Sequence, residues 1–153
     1  MTTIKYLTFN DVNPNEFIPF LNNQKIREHL IEHTLFNLDS IKVWIDSKIE
    51  VNRTHGCRVR AIVCKNHLAG WCGIQLEDGK YEFAIVIDEQ FWGLGKTVFQ
   101  DMMAWAKELG HDEVFIHFLH TRSDYKFLQN IAKNVYKTKM LGSQFTTYQL
   151  TVS

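Results

Sequence analysis

Residues 81–96, Tyr-Glu-Phe-Ala-Ile-Val-Ile-Asp-Glu-Gln-Phe-Trp-Gly-Leu-Gly-Lys, constrain this chain more than any other stretch. Tyr81 to Ile87 reads as a strand, and an amphipathic helix starts a few residues later. Between them Gln90, Gly93 and Gly95 are spaced as Gln-x-x-Gly-x-Gly. Glycine at a helix entrance lets the backbone approach an anion with no Cβ in the way. The first-turn N–H groups have no intrahelical partner and point outward as donors, reinforced by the helix dipole. Such a turn is built to hold phosphate.

The elements around it follow from period and turn chemistry. Ile4 to Phe9 reads as a first strand. Asn13-Pro14-Asn15-Glu16 reads as a helix start, with a capping Asn, Pro at the first helical position and Glu three after the cap. Phe17, Ile18 and Leu21 form that helix's apolar face. A short helical piece spans Ile26 to Ile31. A second full helix runs from about Ser40 to Ile49, with Ile41, Trp44, Ile45 and Ile49 at helical spacing. From Cys57 the period changes. Arg58 to Cys64, Leu68 to Gln75 and Tyr81 to Ile87 are strands, separated by Lys65-Asn66-His67 and by Glu77-Asp78-Gly79; Asp-Gly is a strong hairpin signal. The helix after the glycine turn carries Val98, Phe99, Met102, Trp105, Ala106 and Leu109, and Gly110 caps its end. Glu113 to His120 is a further strand. Ser123 or Asp124 caps a helix with Phe127, Leu128 and Ile131. Val135 to Met140 and Phe145 to Val152 form a closing hairpin around Leu141-Gly142-Ser143. In the order β-α-α-β-β-β-α-β-α-β-β, only the central β-α-β step requires a parallel pair.

With 153 residues, the chain is read as a single domain, 1–153, able to bury a real core. The 17 Lys and Arg balance 17 Asp and Glu, which argues against a nucleic-acid polyanion as main partner. No stretch approaches the roughly 20 apolar residues of a membrane helix, and the N-terminus lacks a signal-peptide layout. Cys57, Cys64 and Cys72 are odd in number, lie in strand segments and fit no zinc spacing, so they read as buried thiols of a cytoplasmic protein.

This order, with a glycine turn between the fourth strand and the third helix, resembles the GNAT N-acetyltransferase superfamily over nearly the whole chain. The sharpest likeness is Gln90-Phe91-Trp92-Gly93-Leu94-Gly95, which is similar to the family's Arg/Gln-x-x-Gly-x-Gly/Ala pyrophosphate loop. The longer run from Glu82 to Gly95 resembles the branch that acetylates ribosomal-protein N-termini. A dinucleotide-binding fold is excluded: its Gly-x-Gly-x-x-Gly pattern is missing and the preceding strands are hairpin-linked. The triphosphatase loop is excluded too, since Gly95-Lys96-Thr97 lacks its first glycine.

The resemblance implies an α+β fold: a mixed, mostly antiparallel central sheet flanked by helices and splayed between strands 4 and 5. It implies acetyl-CoA as co-substrate, with no metal. Backbone groups of Ile85, Val86 and Ile87 would take the pantetheine arm, and the pyrophosphate would lie on the loop Gln90, Phe91, Trp92, Gly93, Leu94, Gly95 and Lys96. Transfer to an amine then needs a base, an oxyanion donor and an acid near sulfur. Glu82 is the first candidate base, its alternative being a solvent-facing strand glutamate. His117 and His120 are further candidates, or packed histidines. The family often places Asn-x-x-Ala/Ser-x-x-x-Tyr after the fifth strand, the Tyr serving as acid. Here His120 replaces Asn, Ser123 is kept, and Phe127 stands where Tyr would be. Tyr125, two residues earlier, would point about 200° away around a helix, so it is a weaker candidate, and water is the other proton source.

His29-Leu-Ile-Glu-His33 matches an inverted zinc-peptidase motif, but a third ligand has no counterpart later in the chain. In the family resemblance this segment borders the acceptor groove, so His29, His33 and Phe36 become candidate substrate contacts. Trp44, Trp71 and Trp105 read as core. The acceptor is a small-molecule or peptide amine that the sequence does not specify, and a homodimer is compatible with it. A non-catalytic acyl-CoA-binding protein is the second reading, and a plain interaction module the third.

Overall fold

The structure, a computed structural model, describes residues 3–28, 34–119 and 126–152. Its centre is a seven-stranded sheet: β1 (Ile4–Leu7), β2 (Arg58–Cys64), β3 (His67–Glu77), β4 (Lys80–Ile87), β5 (Glu113–Leu119), β6 (Asn134–Met140) and β7 (Ser143–Thr151). The spatial order is β1-β2-β3-β4-β5-β7-β6, and every pairing is antiparallel except β4 with β5. The helices are α1 (Pro14–Asn22), α2 (Gln24–Arg27), α3 (Leu38–Arg53), α4 (Gly95–Glu108) and α5 (Lys126–Ile131). None is long and apolar enough to cross a membrane.

Local chemistry accounts for most boundaries. The Asn13 side chain accepts from the Asn15 N–H with Pro14 at the first helical position, while the Glu16 N–H goes to the Asn13 carbonyl. α3 starts two residues before the expected Ser40 because Asn37 caps it: Asn37 Oδ1 accepts from the Asp39 and Ser40 N–H groups, and Ser40 Oγ accepts from the Asn37 N–H. The β3–β4 turn has positive φ at both Asp78 and Gly79, the twist-matched two-residue hairpin that Asp-Gly favours. Past α4, the Gly110 N–H bonds to the Lys107 carbonyl and the His111 N–H to that of Ala106, a Schellman ending.

Some expected spans shift, and others run into residues outside the described ones. β1 stops at Leu7, and Phe9 enters a 3-10 turn (Phe9–Asp11) that tucks its ring against Phe17, 4.8 Å between centroids. α2 spans Gln24–Arg27, and the expected end at Ile31 lies outside the described residues. β5 is described to Leu119, and β7 begins at Ser143.

Two cores lie on opposite faces of the sheet. Under α4 and α5 pack Phe83, Val98, Phe99, Met102, Ile116, Tyr148 and their neighbours. Under α1 and α3 pack Phe9, Phe17, Ile41, Ile45, Val59 and Trp71. Each fully buried large side chain here contributes about 1.5–3 kcal/mol relative to exposure. Alternation along β4 divides its side chains between these cores: Phe83, Ile85 and Ile87 face α4, whereas Ala84 and Val86 face α3. Glu82, two residues before Ala84, therefore stands on the α3 face.

Candidate active site

The ladder between β4 and β5 is short. It pairs Glu82 with Phe115 and Phe83 with Ile116, and ends there. β4 continues to Ile87 against β3, and β5 continues to Leu119 against β7. The C-terminal halves of the two parallel strands therefore diverge and open a wedge between them.

At the far end of β4 a tight crossing fixes where the chain goes next. β3 carries a bulge at Ala69, with Val63 opposite Leu68 and Ile62 opposite Gly70. The Ala69 carbonyl accepts from the Asp88 N–H at 2.8 Å. A Cβ on Gly70 would lie 2.0 Å from the Val86 carbonyl oxygen, so only glycine admits this approach. Asp88 in turn accepts the Gln90 N–H on its side chain and the Phe91 N–H on its carbonyl. These bonds start the 3-10 stretch Glu89–Leu94 that leads into α4.

Gly93 and Gly95 are required by nothing among the described residues. Neither has positive φ, and a Cβ built on either would meet no atom within 4 Å. Leu94, at the cap position of α4, makes no side-chain cap hydrogen bond. Bare backbone at an uncapped helix entrance fits a pyrophosphate, which needs close approach to main-chain donors. Lys96 adds a cation in the first turn, its Nζ 5.3 Å from the Phe127 ring centroid. Phe127 also meets Phe99 edge-on, an apolar ring with no proton to give. The side chain of Trp92, together with His29, His33, His120, Ser123 and Tyr125, lies outside the described residues.

On the α3 face, Glu82 and His117 come together. His117 Nε2 lies 2.9 Å from Glu82 Oε2, and both side chains are largely buried, 14% and 22% exposed. The other ring nitrogen, Nδ1, is 2.7 Å from Thr147 Oγ1. Lys48 of α3 stands nearby: its Nζ donates to Gln75 Oε1 at 2.6 Å and sits 4.7 Å from the Trp71 ring centroid. Gln75 pairs with Glu82 in the β3–β4 register. Burial pushes the Lys48 ammonium below its usual range, opposed by the carboxylates of Glu77 and Glu82. Phe36 sits beside this region. Its backbone exchanges hydrogen bonds with the Asn22 side chain at 2.8 and 3.0 Å, and its ring is 6.1 Å from that of Trp44.

Sequence reasoning singles out Glu82 and His117 separately but gives no sign that they touch. It passes over Lys48, Gln75 and Thr147. The one available signal is parity: Gln75, Glu82, His117 and Thr147 share a face once the register is known. Among the described residues no group of three or more His, Cys, Asp or Glu side chains is placed to hold a metal ion.

A seven-stranded sheet opened between parallel strands 4 and 5, with a glycine turn and helix after strand 4, is the GNAT acetyltransferase fold. Solved structures agree over nearly the full length. An acetyltransferase from Salmonella typhimurium that modifies the N-terminal serine of a 50S ribosomal subunit protein superposes with TM-score 0.71 at 14% identity, covering 98% of this chain and 94% of that one. The microcin self-immunity acetyltransferase MccE, in complex with acetyl-CoA and AMP, gives 0.72 at 15% identity, with 97% and 92% covered. A structure described as a phosphinothricin N-acetyltransferase gives 0.70 at 16% identity, with 100% and 99% covered. No family model matches the sequence, and no curated protein matches it either.

Proposed function

We propose that this chain is an acetyl-CoA-dependent N-acetyltransferase acting on a primary amine, with Glu82 as its base and His117 bonded to that carboxylate. The observation that carries this reading is the wedge past Phe83 and Ile116, flanked by the uncapped entrance of α4. Acetyl-CoA, the co-substrate, brings the activated acyl group as a thioester. The loop from Gln90 to Lys96 would hold its pyrophosphate, and the stretch Ile85 to Ile87 would carry its pantetheine arm.

Glu82 stands at the head of the wedge, where the acceptor nitrogen must arrive uncharged. It takes a proton from the amine, directly or through water, while His117 Nε2–H holds the other carboxylate oxygen in place. A carboxylate accepting that bond is held in one orientation. Phe127 offers no proton, so the departing thiolate takes one from water, and the amine's proton leaves through Glu82. The sum is one amine acetylated and one thiol released, with no net proton change.

MccE and the Salmonella typhimurium enzyme are both acetyltransferases, which supports this reading. The acceptor is an amine, peptide or small molecule, that reaches Glu82 from the α3 side past Phe36 and Trp44. His29, His33 and Phe36 remain candidate contacts for it, and Tyr125 and His120 candidate partners in proton transfer. Three buried cysteines fit a reducing compartment, and we place the reaction in the cytoplasm.

Calorimetric titration with acetyl-CoA tests the cofactor half. Saturable heat at micromolar ligand is expected, and none at high micromolar would remove the reading. Thiol release across a panel of peptide N-termini, lysine analogues, polyamines and small amines tests the catalytic half.

A further inference from the structure

Thr147 has its side chain on the α3 face of β7, directly paired with His117 in the β5–β7 register, and is completely buried. Its Oγ1 lies 2.7 Å from His117 Nδ1 and 2.7 Å from Thr138 Oγ1. Thr138, on the neighbouring edge strand β6, is only half-buried. Glu82, His117, Thr147 and Thr138 therefore form one unbroken hydrogen-bonded line across four strands, from the wedge to the sheet edge. We infer that Thr147, braced by Thr138, is the positioning residue that holds His117 against Glu82; this rests on the acetyltransfer reading above.

The physical reason lies in what a buried imidazole needs when its hydrogen can sit on either ring nitrogen. A buried polar atom without a partner costs about 1–3 kcal/mol, more when charged. A fixed carbonyl satisfies Nδ1 only when it bears a hydrogen, and a fixed N–H only when it does not. A hydroxyl serves both states. With the ring hydrogen on Nε2, that N–H donates to Glu82, the Thr147 hydroxyl donates to Nδ1, and the Thr138 hydroxyl donates to Thr147. With the hydrogen on Nδ1 instead, that N–H donates to Thr147 Oγ1, whose hydrogen turns to Thr138 Oγ1. Two hydroxyl hydrogens rotate, and no heavy atom moves. Contacts at opposite corners of the ring also fix its rotation, so Nε2 faces the carboxylate in both states. Valine would fill the same volume at position 147 and do none of this.

The test compares Thr147→Val, Thr147→Ser and Thr138→Val with the parent. Turnover in Thr147→Val is expected to fall about ten- to a hundredfold at saturating substrates, with KM for acetyl-CoA within about twofold, as for a misplaced catalytic group. Thr147→Ser keeps the hydroxyl and is expected to restore most of the rate, and Thr138→Val to fall in between. Nitrogen-15 spectra of the His117 ring in the resting protein are expected to show the Nδ1 resonance displaced in Thr147→Val and near the parent position in Thr147→Ser. Parent turnover in Thr147→Val, an unmoved Nδ1 resonance, or a Thr147→Ser variant as impaired as Thr147→Val would each overturn the inference. The spectra need no turnover. If no amine is ever acetylated, the functional reading fails while the contact itself is still decided by the Nδ1 resonance.

Discussion

His117 Nε2 reaches Glu82 Oε2 at 2.9 Å although the β4–β5 register places Phe115, not His117, opposite Glu82. The histidine lies one step past the last paired residue of β5, on the strand segment that diverges, and leans back to meet the carboxylate. The two candidate bases are thus a single hydrogen-bonded unit at the apex of the wedge.

Replacing Glu82 by Gln keeps the shape and removes the negative charge. Turnover should drop about 10²–10⁴-fold while acetyl-CoA affinity holds, because the phosphate loop is on another part of the chain. Steady-state thiol release with calorimetry alongside is the measurement, and an unaltered rate would acquit Glu82.

Gly93 has ordinary backbone angles and open space before its missing Cβ. Gly93→Ala should therefore leave stability unchanged or raise it by about 0.4–1 kcal/mol through the unfolded chain. Gly93→Trp should fold and lose acetyl-CoA binding. Urea denaturation read against cofactor titration separates the two effects; full-strength binding by the Trp variant would remove the loop assignment.

Gly70→Ala should do the reverse of a surface change. The added methyl would press on the Val86 carbonyl oxygen and on the Ile87 Cα, at 2.0 and 2.9 Å, both backbone. Relief requires β3 and β4 to separate just before Asp88, at an expected cost of about 3 kcal/mol or more. Acetyl-CoA affinity should fall with it, since this crossing aims the loop. A midpoint in urea equal to the parent's would contradict the packing.

Lys48 is an ammonium beside two Trp rings, 5.9 and 4.7 Å from their centroids, with its proton affinity lowered by burial below the usual 10.5. A group that binds its proton less tightly folded than unfolded makes stability rise with pH. The rise begins at the folded value and ends near the unfolded one. Lys48→Met should abolish that alkaline rise and be neutral or stabilising by about 1 kcal/mol at pH 7, where the charge no longer has to be desolvated. Thermal melts from pH 7 to 11 would show it, and parallel pH curves for the two proteins would count against it.

The strands and turns from Arg58 to Ile87 are legible in the sequence because their causes are local. Alternating side chains set β2 and β4, and Asp78-Gly79 sets the hairpin between β3 and β4. Asn13-Pro14 likewise marks a helix start that the fold keeps. The start of α3 reads late by two residues, although Asn37 and Ser40 spell a cap, since the apolar rhythm begins only at Ile41. β1 reads too long because Phe9, apolar like its neighbours, leaves the strand to pack on Phe17, a contact no local rule encodes.

Sequence alone determined the glycine-bearing entrance to α4 and the mixed order of elements, since both depend on neighbours along the chain. Only the tertiary structure decided that Glu82, His117 and Thr147, separated by 35 and 30 positions, share one hydrogen-bonded line. Strand register across β4, β5 and β7 fixes that meeting, and register is set by long-range pairing and burial.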